Sequence, residues 1–153
     1  MKLIIVRHGE STRNAKISAP KNSLTNKGTK QAKKISEILK KEKIDAIYCS
    51  SVLRCQQTLN IILENQINHL NINFSFLLAP KKKSESLQSL TKRIILFLND
   101  LQNEYCENDT VLIISHQYPI RMINQIIIGD SKKVENCSVC YLTLNNPATS
   151  SVC

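Results

Sequence analysis

Residues 2–9 read Lys2-Leu3-Ile4-Ile5-Val6-Arg7-His8-Gly9, a short apolar run that stops at a cation, a histidine and a glycine. The run is β-branched and unbroken by polar residues, the pattern of a strand buried on both faces. Further along, helix-like and strand-like segments alternate. Thr25 can cap a helix to about Lys41, with Ala32, Ile35, Ile38 and Leu39 on one face. Ile44 to Cys49 reads as a second strand, followed by a helix from about Ser51 to Asn65. Asn73 to Leu78 reads as a third strand, and Leu87, Leu90, Ile94, Leu98 and Leu101 trace a helical stripe. Thr110 to Ile114 is a fourth strand that ends at Ser115-His116. Pro119 suits the first turn of a helix through Ile128, and Cys137 to Leu144 supplies a fifth strand.

Such alternation predicts an α/β chain with a mostly parallel central sheet and helices on both faces, a three-layer α/β/α sandwich. At 153 residues, with 42% hydrophobic side chains, one domain over 1–144 can bury a core without a metal or disulfide, leaving 145–153 as a tail. Ligands of such sheets bind beyond the carboxyl ends of the strands. Arg7-His8 follows the first strand and His116 the fourth, so both histidines are expected at one pocket.

The formal charge of +9 and pI near 9.4 suit phosphorylated or otherwise anionic partners. Lysine carries most of it, and runs such as Lys81 to Lys83 read by default as solvated surface. Arginine is sparser, and Arg7, Arg13, Arg54 and Arg121 all fall within the motifs below, where a bidentate fork would hold phosphate. The six cysteines read as reduced thiols used as small hydrophobes. Cys137 and Cys140 form a Cys-x-x-Cys on a strand, where residues three apart face opposite ways and make a poor metal pair. The first apolar run is too short for a signal or membrane segment, so the expectation is a soluble, cytoplasmic protein with no membrane partner. Nucleic-acid binding is not expected. The charge invites it, but no reading motif is present, and the four tyrosines and three phenylalanines form no stacking array.

Of the three histidines, His69 lies in the polar stretch Asn68-His69-Leu70-Asn71 and reads as structural. His8 and His116 belong to ordered motifs. Arg7-His8-Gly9-Glu10-Ser11 is followed by Asn14. Leu24-Thr25-Asn26-Lys27-Gly28 is followed by Gln31-Ala32. Ser50, Arg54 and Thr58 recur at intervals of four, and Val111 to His116 leads to Ile120-Arg121. Together, from Lys2 to about Leu144, these motifs closely resemble the histidine phosphatase superfamily, the phosphoglycerate-mutase-like fold. The resemblance implies that His8 is a phosphorylated nucleophile and that Arg7, Arg54 and His116 form the phosphate pocket. It implies substrate contacts for Asn14 and for Gln117, which stands where the family often has glycine. It calls for no cofactor and no metal.

Elementary chemistry agrees with that assignment. Phosphoryl transfer is mostly positioning and positive electrostatics, and two guanidinium forks match the equatorial oxygens. Nearby positive charge also favours a neutral, nucleophilic imidazole, while His116 as a cation could neutralise another oxygen. Gly9 would let the backbone pass close to the ligand.

The proton donor is less plainly marked. In most of the superfamily a glutamate follows the third strand within a cap insertion, which here is nearly absent. Glu85 is the acid in that stretch, and it reads either as the donor or as a helix-capping acid. A short, open site resembles the small bacterial phosphohistidine phosphatases more than the larger mutases. The expected substrate is therefore a phosphorylated small molecule or phosphoprotein, cleaved as a phosphomonoester or phosphohistidine. The alternative is a catalytically weak regulatory module that binds phosphorylated ligands in the same pocket.

Overall fold

In a computed structural model of the chain, residues 1–12, 22–64 and 71–145 are described. Strand β1 (Lys2–Arg7) is buried from Leu3 to Arg7 and pairs on both edges. It runs parallel to β4 (Thr110–Ser115) and antiparallel to β5 (Val139–Thr143). β4 also runs parallel to β2 (Ala46–Cys49), and β2 to β3 (Ile72–Phe74), giving the order β3-β2-β4-β1-β5. The helices are α1 (Asn26–Leu39), α2 (Leu53–Leu63), α3 (Leu87–Glu104) and α4 (Gln117–Ile128).

Successive strand residues point to opposite faces, and that alternation divides the core. Leu3, Ile5, Val111 and Ile113 pack with Leu90, Ile94 and Leu98 of α3 and with Ile120 and Ile123 of α4. Ile4, Val6, Leu112 and Ile114 face Ala32, Ile35 and Leu39 of α1 and Leu59 and Ile62 of α2. An unbroken apolar strand is needed because both faces are covered. The result is the expected three-layer sandwich.

Several expectations need local correction. Ile38 is 54% exposed, because Ala32, Ile35, Ser36 and Leu39, at helical spacing, form the buried face of α1. The third strand stops at Phe74. Phe76–Leu78 instead turns as a 3-10 helix, with the Ser75 hydroxyl accepting from the Leu77 N–H at 3.2 Å. Only this turn and the residues up to Ser86 join β3 to α3, so no cap domain is inserted there. The fifth strand starts at Val139, and Cys137 before it has a φ of +51°. Cys49, Cys55, Cys137 and Cys140 are free thiols, whereas Cys106 is in a disulfide and departs from the expectation. Cys137 packs on the α1/α2 side of the sheet and Cys140 on the α3/α4 side, so they do face apart. No helix among the described residues is long and apolar enough to cross a membrane.

Candidate active site

Three neighbouring parallel strands deliver the polar residues. The register aligns Arg7 of β1 with Ser115 of β4, and the His8 N–H donates to the Ser115 carbonyl at 3.1 Å. The His8 and His116 rings therefore meet edge-on, 5.0 Å between centroids. β2 exits at Ser50, whose N–H donates to the Ile114 carbonyl at 3.0 Å, and the first turn of α2 carries Arg54. Apolar strands have no room for these groups within the layers, so they collect where the strands end.

Arg54 ties the cluster together. Its Nε donates to His8 Nε2 at 2.9 Å, its Nη2 to His116 Nδ1 at 2.9 Å and its Nη1 to Asn22 Oδ1 at 3.3 Å. A guanidinium has no acceptor, so both ring nitrogens must accept. The His8 proton is then on Nδ1, which donates to the Gly9 carbonyl at 2.7 Å. The His116 proton is on Nε2, facing the Ser50 hydroxyl at 2.9 Å. Both rings are neutral in this arrangement, so the expected His116 cation is replaced by a neutral ring that accepts from Arg54. Arg7, His8, Arg54 and His116 are all buried.

Arg7 donates through Nη1 to the Val134 carbonyl at 2.5 Å, while its buried Nε has no partner among the described residues. Burial lowers the pKa of this guanidinium, and the attraction of Glu135 opposes the shift. A buried cation with an unmet donor favours an arriving anion. The four residues open on a cavity of about 170 Å³, also lined by Gln117, Tyr118, Pro80 and Lys81. Gln117 and Tyr118 begin α4, and His116 at its N-cap makes no side-chain capping bond. The positive end of that helix thus faces the cavity.

A brace holds the His8 loop. The Gly9 N–H donates to Thr58 Oγ1 at 3.1 Å, and that hydroxyl donates to the Arg54 carbonyl at 2.7 Å. The Glu10 N–H donates to Gln31 Oε1 at 2.9 Å, and the Thr25 N–H to the Glu10 carbonyl at 3.0 Å. Thr25 also caps α1, accepting from the Gly28 N–H at 3.0 Å. A Cβ on Gly28 would lie 2.0 Å from the Glu10 carbonyl oxygen, and one on Gly9 would lie 2.7 Å from that of Gly28. Gly9 is therefore needed for backbone packing against Gly28. The Leu24–Gly28 motif braces the Arg7–Ser11 motif.

Glu85 is placed apart from the cavity lining. Its carboxylate takes Arg93 Nε at 2.6 Å and Nη2 at 3.1 Å, and the Lys82 N–H at 3.3 Å. The hydrogen bond from Arg93 holds its pKa below the ordinary carboxylate range. Ser86, not Glu85, caps α3, accepting from the Ser89 N–H at 3.0 Å. Arg93 also donates to the carbonyls of Leu77 and Ala79 (the latter at 2.9 Å), so it secures the loop that presents Pro80 and Lys81. Asn14, Arg13 and His69 lie outside the described residues.

Sequence reasoning missed Asn22, Arg93, Pro80 and Tyr118. Arg93 was the arginine outside every motif, and a buried use for it was the available signal. Cys55 Sγ sits 3.5 Å from His116 Nε2, but burial pushes its thiol pKa up, so it is packing rather than a nucleophile. Among the described residues no group of three metal-ligating side chains comes together.

Comparison with known proteins agrees with this geometry. The family model of the histidine phosphatase superfamily (branch 1) matches residues 3–75 and 68–152. Phosphoserine phosphatase 1 of Hydrogenobacter thermophilus is 27% identical over 84% of this chain and 77% of its own length. The crystal structure of phosphoglycerate mutase from Bacillus anthracis superposes with a TM-score of 0.84 at 18% identity, over 99% of this chain and 92% of that one. The protein histidine phosphatase SixA, complexed with tungstate, gives 0.76 at 21% identity, over 95% and 90%. With the family matched along most of its length and its paired histidines at adjacent strand exits, the chain belongs to the histidine phosphatase superfamily.

Proposed function

We propose that the chain is a phosphatase that hydrolyses a phosphomonoester or phosphohistidine through a phosphoryl group carried on His8. The observation that carries this reading is the orientation of the His8 ring. Nδ1–H is committed to the Gly9 carbonyl, and Nε2 stays unprotonated at the anion cavity, where it accepts from Arg54. On substrate entry, Arg54 and Arg7 turn their donors to the phosphoryl oxygens. Nε2 attacks phosphorus and the bond to the leaving atom breaks; an imidazole leaves already protonated, and an ester oxygen takes its proton from solvent. Hydrogen bonding from Nδ1 to Gly9 offsets the positive charge that develops on the ring. Water then attacks the phosphohistidine, restoring Nε2 and releasing inorganic phosphate. Two guanidiniums and a helix N-terminus supply the positive field, so the scheme assigns no step to a metal.

The substrate class follows from the proton donor. Glu85, held ionised by Arg93, is a poor acid, and we assign it to fixing the Pro80–Lys81 loop. A phosphohistidine substrate demands less from an acid, since a protonated imidazole leaves readily. That favours phosphohistidine or activated esters over alkyl phosphates, and the short β3–α3 link favours hydrolysis over a mutase reaction. The same ionised Glu85 is what supports the second reading, a binding module with weak turnover.

The test is a brief mix with labelled p-nitrophenyl phosphate followed by an alkaline quench. Wild-type protein should carry acid-labile label, and His8→Ala should carry none and lose ~10³-fold or more in turnover. Label that persists in His8→Ala would remove His8 from the chemistry. Binding of phosphate without turnover would favour the module.

A further inference from the structure

We infer that a groove between α3 and α4 is the subsite for the leaving group, and that it takes the straight apolar arm of an activated phosphate ester, whose leaving atom needs no strong acid. This rests on the phosphatase reading above and adds what lies beyond the phosphate. On α4, Tyr118, Arg121, Met122 and Gln125 follow one another at helical spacing and share one face. Leu87 and Leu90, in the first turn of α3, lie opposite. With Ser131 they enclose a second cavity of about 300 Å³, the lower end of the range for small-molecule sites.

The two cavities adjoin at one side chain. Tyr118 lines both, so the groove lies directly beside the phosphate pocket. The ring is held from both sides. Lys81 Nζ, from the phosphate pocket, lies 6.0 Å from its centroid, and the Arg121 guanidinium, from the groove, lies 5.9 Å away. Arg121 is itself fixed through Nε to the Ser131 carbonyl at 2.6 Å. Met122 Sδ accepts from Thr91 Oγ1 at 3.3 Å, which sets the thioether against α3.

The lining then selects the arm. Leu90 is fully buried and forms an apolar floor, whereas Leu87 is 60% exposed at the mouth, uncovered by the protein's own side chains. No carboxylate lines the groove among the described residues. A compact polar leaving group such as serine would leave Leu87 and Met122 wet. An alkyl arm would cover them, gaining up to about fourfold in affinity per methylene, the ~0.8 kcal/mol of a buried CH₂ converted.

Straight-chain alkylphosphonates test this without turnover, because the C–P bond is not hydrolysed. Calorimetric Kd values for methyl-, butyl- and hexylphosphonate should fall with length, hexyl binding ~30-fold or more tighter than methyl. In Leu87→Asn with Met122→Gln, the hexyl-to-methyl ratio should collapse to within about threefold. Methylphosphonate binding by that variant reports that it is folded. A flat series on the wild type, or a ratio that survives in the variant, overturns the subsite. A flat series joined to selective binding of a phosphopeptide with a neighbouring leucine would assign the groove to a protein and overturn it equally. Failure of both methylphosphonate and inorganic phosphate to bind would instead overturn the phosphate pocket, and the subsite with it.

Discussion

At the floor of the pocket, Arg7, His8, Arg54 and His116 sit buried at the ends or just beyond the ends of three adjacent parallel strands, with Arg54 bonded to both histidines. At the rim, Pro80 and Lys81 sit on a loop outside the sheet, tied down by Arg93 at the Leu77 and Ala79 carbonyls and by the Ser115 hydroxyl at that of Leu78. The floor is positioned by strand register, which the whole core enforces. The rim is positioned by a few polar contacts, most of them made by Arg93. In the proposed reaction, the chemistry that tolerates no misplacement falls on the floor, and differing leaving groups meet the rim.

The largest expected effect is on the floor. Arg54→Lys keeps the charge but loses the three-way fork to His8, His116 and Asn22, and should lower kcat/KM by ~10²-fold or more. Near-wild-type hydrolysis of p-nitrophenyl phosphate by this variant would place Arg54 outside the chemistry and erase the contrast.

A middle effect is expected at the rim. Arg93→Lys cannot hold two carbonyls and a carboxylate at once, so the Lys81 loop should loosen. KM should rise ~10-fold while kcat stays within about threefold, since the floor is untouched. A fall in kcat at constant KM would show that the rim takes part in the transition state.

The smallest effect belongs to Glu85→Gln. Rates on alkyl and aryl phosphates should change together, within about twofold, and a selective loss on alkyl esters would restore Glu85 as the acid. At pH 7 the variant should be less stable by ~1 kcal/mol through the weakened contact with Arg93. The sign with pH follows from the lowered carboxyl pKa. The folded value lies below the unfolded one, so the stabilisation is complete above the unfolded value of ~4.3 and is lost as pH falls through the folded value. Urea unfolding of both proteins should show the gap closing in acid, and a constant gap would mean the ion pair is not its source.

The same contrast governs what could be read from sequence. Burial on both faces constrains composition so tightly that Leu3 to Val6 and Val111 to Ile114 could be little else than central strands, and their exits located both histidines. The rim was less legible. Phe76 to Leu78 is as apolar as a strand, and what turns it into a 3-10 helix is a Ser75 cap and carbonyls captured by Arg93, far along the chain. Glu85 offered two readings because its partner lies eight residues away, across a loop whose course was unknown. Gly9 was only partly legible for the same reason. Its constraint is the Gly28 backbone, a neighbour only in the folded state. Proton positions on the rings follow from Arg54, whose approach to both histidines no local pattern encodes.

The order of the strands along the chain has a consequence for synthesis. β1, which leads to His8, emerges from the ribosome before every other element described here, yet its neighbours in the sheet are β4 and β5. Until Thr110 and the residues after it have been made, β1 has no sheet partner, and the backbone around His8 still lacks the Asn136 side chain that donates to the His8 carbonyl at 2.9 Å. Helices α1 and α2 and the β2–β3 pair are complete long before, with only each other to pack against. Contacts of such high sequence separation are slow to form, because the loop must be closed before they return any stability. His8 is thus translated before its sheet partners and positioned after them, and a nascent chain can hold no competent anion site until β4 and β5 have been made.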